Sequence, residues 1–167
     1  MTARASSLTL FAMAAVLGGC SQGETGEQVA GEPQYVKAHS MQQLMAQVVQ
    51  PTAEVFWGSV QYISDETGEH DIVPKTAEDW QRTRTAAAAL TEMGNLLMTP
   101  VHSEGRGPDW IEFSRGLIEV GQEAEQAAAN RDVDAVFEVG GTMYNVCTAC
   151  HQAYLPEEQA AEANASQ

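Results

Sequence analysis

Two thiols and an imidazole stand together at Cys147-Thr148-Ala149-Cys150-His151. Cys-x-x-Cys-His is the pattern by which a chain takes covalent haem. Each thiol can form a thioether bond to one haem vinyl group, and the histidine that follows can bind the iron through a ring nitrogen. The covalent anchor places the ligand, and the ligand sets the potential of the iron. Two other chemistries share the spacing. A redox Cys-x-x-Cys opens a helix after a strand, whereas this one ends a long helical pattern. A structural zinc site needs a second pair of Cys or His ligands, and the only other cysteine is Cys20. The expected cofactor is therefore one haem c per chain, its iron included. Cys147 and Cys150 are the thioether donors and His151 is an axial iron ligand.

Covalent haem of this type is attached on the outer side of the bacterial plasma membrane, so an export signal should be present. Residues 1–19 carry Arg4 and then an apolar run from Leu8 to Leu17. That run is too short to span a membrane comfortably and matches the hydrophobic region of a signal peptide. It ends Leu17-Gly18-Gly19-Cys20, which resembles a bacterial lipobox with Cys20 as the lipidated first residue of the mature chain. Acyl chains at Cys20 would hold the protein at the membrane surface. The expected location is the periplasmic side of a bacterial membrane, with inner and outer membrane both open. Residues 20–35 are polar and Gly-rich and read as a flexible tether.

The net charge of −15 on 167 residues argues against nucleic acid and anionic lipid headgroups as partners. It suits a basic redox partner, or simply solubility. With 44% hydrophobic residues the chain can bury the core of one domain, placed at 36–156, before a Glu/Ala-rich tail at 157–167. No Ser-His-Asp order, phosphate loop or carboxylate pair stands above the acidic background, so no enzymatic activity is expected.

Four helical segments and no strands are expected to position the motif. Ser40-Met41-Gln42-Gln43 has the form of a capping box. Leu44, Met45, Val48 and Val49 follow at helical spacing, and Val55, Phe56, Trp57, Val60 and Ile63 continue the face past a kink at Pro51. A connection from Glu66 to Thr76 precedes a second helix that Pro100 closes. A third helix opens at Asp109 and reaches Ala129, with Asn130 as its stop. The fourth carries Val133, Val136, Phe137, Gly140, Tyr144, Cys147 and His151 on one face, expected to turn toward the core. Gly140 calls for a close neighbour, either a packed helix or the edge of a haem. Short connections suggest an all-α, antiparallel up-down-up-down four-helix bundle. In that topology the end of the last helix lies beside the start of the first.

A Cys-x-x-Cys-His near the C-terminus, behind three helices of these lengths, resembles the class II c-type cytochromes, the cytochrome c′ and cytochrome c-556 family. The likeness covers residues 36–155 in layout, and only Cys147–His151 and Tyr154 match closely as motif. It implies a haem bound through both cysteines, His151 as the proximal ligand, and a distal face lined by helix 1. A Met there gives a six-coordinate iron suited to electron transfer. A Leu or Phe gives a five-coordinate iron that binds nitric oxide or carbon monoxide. Met45 shares the face of Val48 and Val49 and is expected to hold the iron, with Met41 the alternative and His39 a surface residue. The run after His151 lacks the Arg that family members carry there, leaving Arg82, Arg84 or Arg106 to face a propionate. Members of the family also form homodimers through helices 1 and 2. The expectation is a single-electron carrier, with a gas-binding protein as the alternative.

Overall fold

The structure, a computed structural model, describes residues 34–154. The signal segment, the lipidation expected at Cys20, the tether before Gln34 and the tail from Leu155 onward all lie outside the described residues.

Helix makes up 72% and strand 8% of the described residues, so the helical expectation holds in its coarse form. The first helical stretch opens at Ser40, whose hydroxyl accepts from the Gln43 N–H while the Gln43 side chain accepts from the Ser40 N–H. The predicted capping box is therefore present, and it satisfies two otherwise orphaned donors. Helix α1 (Met41–Leu44) passes into one wider, π-helical turn at Met45–Val49 and then into α2 (Gln50–Trp57). Pro51 sits at the start of α2, directly after the widened turn. Proline offers no N–H and crowds the preceding turn, and the chain answers with a bulge while its backbone stays right-handed.

The helix does not run on to Ile63. Gly58 caps α2, and Ser59 directs both its N–H and its hydroxyl at the Phe56 carbonyl. The next residues pair as a hairpin, β1 (Gln61–Asp65) with β2 (Gly68–Ile72), antiparallel and in the register Gln61↔Ile72 to Asp65↔Gly68. The expectation of no strands is thus corrected. Tyr62 and Ile63 favour extended backbone. At the turn, Asp65 accepts from the Thr67 N–H and hydroxyl at 2.8 and 2.6 Å, and Gly68 takes φ +120°, a conformation that L side chains rarely adopt.

Helix α3 (Ala77–Met98) starts at a second capping box between Thr76 and Asp79. Thr99 then leads into the single turn α4 (Pro100–Ser103). Helix α5 (Pro108–Asn130) ends where Arg131 turns left-handed, and Asp132 caps α6 (Val133–Ala153) by accepting from the Ala135 N–H. Helix α5 packs along both α3 and α6, and α2 packs on α3. The α3–α5 contact is close because small residues meet there. A Cβ added at Gly94 would lie 2.6 Å from the Ile118 side chain and 2.8 Å from the Ser114 carbonyl. Phe56, Leu90, Trp110, Val120, Val136 and Met143 belong to one buried cluster. The Trp110 indole is satisfied inside it by donating to the Leu97 carbonyl at 2.7 Å.

Candidate functional site

Helix α6 runs without interruption through the Cys-x-x-Cys-His segment and is capped at Tyr154, whose N–H donates to the Cys150 carbonyl at 2.9 Å. Cys147 and Cys150 therefore stand one turn apart on one side of the helix. Both are half-buried against the core cluster, beside Val146 and Tyr154. His151, the next residue, is exposed.

The buried face of α6 differs from the expected one. Val136, Val139, Gly140 and Met143 are buried, whereas Phe137 is 49% and Tyr144 60% exposed. Aromatic neighbours account for the difference. Tyr62 of the hairpin meets Phe137 edge-to-face at 4.8 Å and donates to Asp134 at 3.1 Å. Trp57 meets Tyr144 at 6.1 Å. These residues form an aromatic flank beside the core. Gly140 has found its close neighbour in a helix: a Cβ there would lie 3.4 Å from the Trp57 ring, and the Trp57 indole donates to the Gly140 carbonyl at 3.0 Å.

On the first helical stretch, Leu44 and Val49 are buried, and Met41, Met45 and Val48 are half-buried against the same cluster as Cys147 and Cys150. Met41 and Met45 thus remain comparable. They lie one turn apart, with Met45 opening the widened turn. His39 is exposed.

Burial raises the thiols of Cys147 and Cys150 above the ordinary cysteine value. Cys147 adds to the shift at Cys150, and the Arg106 charge opposes it. Both sulfurs are therefore protonated at neutral pH, unlike the activated thiolate of a redox Cys-x-x-Cys. Among the described residues no three His, Cys, Asp or Glu side chains converge to hold a metal ion. A zinc centre would require such a group. A haem does not, because its porphyrin supplies four of the iron's ligands and the chain need offer only one or two. A single exposed His beside two half-buried thiols fits that donor set.

Three other parts of the chain reach this corner. Tyr154 donates its hydroxyl to the Arg106 carbonyl at 2.8 Å and stacks edge-on against Trp110 at 5.1 Å. Arg106 lies over the Trp110 ring at 4.3 Å and donates from Nε to the His102 carbonyl at 2.9 Å. His102, in α4, is only 6% exposed, and its Nδ1 is buried without a hydrogen-bond partner among the described residues. Burial first, then the charges of Lys37 and Arg106, push His102 below the ordinary histidine value. No periodicity marks His102 in the sequence, since it lies in a single turn between two long helices. The propionate candidates also separate. Arg82 pairs with Asp79 and Arg84 with Glu125, while Arg106 has no carboxylate within ion-pair reach among the described residues.

Two grooves open elsewhere. One of about 780 Å³ lies between the first helical stretch and α3, lined by Val48, Pro51, Val55, Arg82 and Ala86. The other, about 670 Å³, lies between the hairpin and α6 along Trp57, Tyr62, Phe137 and Tyr144. Neither includes Cys147, Cys150 or His151.

No family model, curated protein or solved structure matches the chain. Among the described residues no helix is long and apolar enough to cross a membrane.

Proposed function

We propose that the chain is a c-type haem protein that carries single electrons on the periplasmic side of a bacterial membrane, held there by lipid on Cys20. One observation carries the reading. Cys147 and Cys150 stand one turn apart on α6, half-buried against the cluster that also takes Met41 and Met45, with His151 open in the next position. When bound, the haem supplies one-electron chemistry at its iron. Cys147 and Cys150 would hold it covalently, each thiol adding its S–H across one vinyl group so that sulfur takes one carbon and hydrogen the other. His151 would bind the iron through a ring nitrogen. Met45, with Met41 the alternative, would offer a thioether sulfur, a ligand that favours the ferrous state and raises the potential.

The finer architecture belongs to the same proposal. The stretch 41–57, α3, α5 and α6 form an up-down-up-down four-helix bundle, in which the Cys-x-x-Cys-His end of α6 faces the first turns of the chain. The packing of α2 on α3, α3 on α5 and α5 on α6 supports it, as does the contact of Phe56 and Trp57 with Gly140. The acidic surface suits a redox partner of basic charge, and a homodimer through the first helical stretch and α3 is compatible with the groove between them.

The test is spectroscopic. The purified protein should keep haem through denaturation, and Cys147→Ser with Cys150→Ser should lose it. The ferric protein should show the far-red band of an iron–thioether bond, and Met45→Leu should abolish it. Survival of that band in Met45→Leu and its loss in Met41→Leu would move the ligand to Met41. A high-spin wild type that binds carbon monoxide readily would replace the electron carrier with a five-coordinate, gas-binding protein.

A further inference from the structure

His102 poses a specific problem. An imidazole nitrogen buried without a partner gives up its hydration and gains no bond in return, and buried polar atoms are nearly always satisfied. Nothing among the described residues satisfies Nδ1 of His102. The surroundings indicate what would. Arg106 is the only half-buried Lys or Arg among the described residues, and it has no carboxylate partner there. Its guanidinium is held over Trp110, its Nε is fixed on the His102 carbonyl, and its own carbonyl is fixed by Tyr154. In a chain of net charge −15, a half-buried guanidinium without a carboxylate partner among the described residues and an orphaned ring nitrogen, four positions apart at one corner, make a receptor for an anion. Tyr154 brings that corner to within three residues of His151, and the charge of Arg106 reaches Cys150.

We propose that His102 and Arg106 form a carboxylate cradle that holds a propionate of the haem, with His102 donating Nδ1–H to it. This rests on the covalent haem proposed above. The chemistry suits a propionate: Arg offers a planar fork of donors to a carboxylate, and a neutral, buried imidazole offers one directed N–H. Arg82 and Arg84, engaged with Asp79 and Glu125, are not part of the cradle.

Resonance Raman spectra and spectroelectrochemical titrations of the holoprotein test it, for wild type, His102→Phe and Arg106→Met. Arg82→Met, away from the cradle, is the control. The propionate bending vibration should move in His102→Phe and in Arg106→Met. The midpoint potential should fall in both, because a propionate that loses its donors places more negative charge near ferric iron. Arg82→Met should change neither readout. An unmoved propionate band and unchanged potential in Arg106→Met would overturn the cradle even if His102→Phe does not accumulate. Loss of an axial ligand in His102→Phe would overturn it too, by making His102 an iron ligand. Each of those results leaves the haem covalently held and the proposed function intact. A wild-type protein that carries no covalent haem removes both readings together.

Discussion

Trp57 donates its indole N–H to the carbonyl of Gly140, 3.0 Å away and 83 positions along the chain. The bond joins the first helical stretch to the last, and the missing side chain at Gly140 is what lets the Trp57 ring approach. Its neighbour is placed differently. A Cβ at Gly141 would meet nothing within 4 Å. Gly141→Ala should therefore stabilise the protein by up to about 1 kcal/mol, the intrinsic helix penalty of glycine. Trp57→Phe should destabilise it by about 1 kcal/mol through the lost hydrogen bond. Urea midpoints of the two variants should move in opposite directions, and a destabilised Gly141→Ala would mean that something packs on that face.

The α3–α5 contact predicts the reverse for alanine. At Gly94 and at Gly121 an added Cβ would press on Ile118 and on Thr91 respectively, including backbone atoms. Each Gly→Ala change should cost about 1–3 kcal/mol by overpacking, in spite of the better helix propensity. Thermal denaturation reads the result, and a raised melting temperature in either variant would contradict the closeness of the two helices.

Asp79 gives a pH dependence of known sign. The Thr76 side chain, then the backbone N–H groups of Thr76 and Lys75, hold its carboxyl below the ordinary value of 3.8. Because the folded value is depressed, its contribution is fully present above pH 3.8 and is lost as the pH falls through the lower folded value. Asp79→Asn should therefore be less stable than wild type at neutral pH, with the gap closing in acid. Paired unfolding curves across the acid range test this, and a gap that stays constant in acid would assign the effect to packing rather than to charge.

Tyr154→Phe should leave the edge-on contact with Trp110 in place and remove the tie to the Arg106 carbonyl. The expected loss is about 1 kcal/mol. Amide exchange at Arg106 and Gly107 should quicken while that of α3 stays unchanged. Uniform quickening would mean that the tie supports the whole domain.

Local signals carried most of the fold. Ser40 and Thr76, which cap the first helical stretch and α3, each stand in the sequence with a side chain three residues on that can answer them. The stop at Asn130 and the long helix ending in Cys147–His151 were equally legible. The hairpin was not, because Val60 and Ile63 extend the apolar spacing of the preceding helix. The stop signal there is only Gly58 with the Ser59 hydroxyl. The exposed positions of Phe137 and Tyr144 were illegible for a related reason. Their apolar partners are Tyr62 and Trp57, distant in sequence and visible only once the hairpin is in place. Of the site, Cys147, Cys150 and His151 announce themselves by spacing. His102 does not, since what distinguishes it is an unanswered nitrogen in a folded environment.

The hairpin has a practical side. Every residue of β2 is exposed, β1 buries only part of Ile63, and the two strands are joined through Glu66 and Thr67 alone. Lengthening a loop whose ends are already held together costs little, since closure entropy grows only slowly with length. A peptide tag or a fluorescent reporter grafted between Glu66 and Thr67 should therefore be carried by the folded domain. The grafted chain would leave both ends of α6 untouched and give the protein a handle at a site unrelated to Cys147, Cys150 and His151.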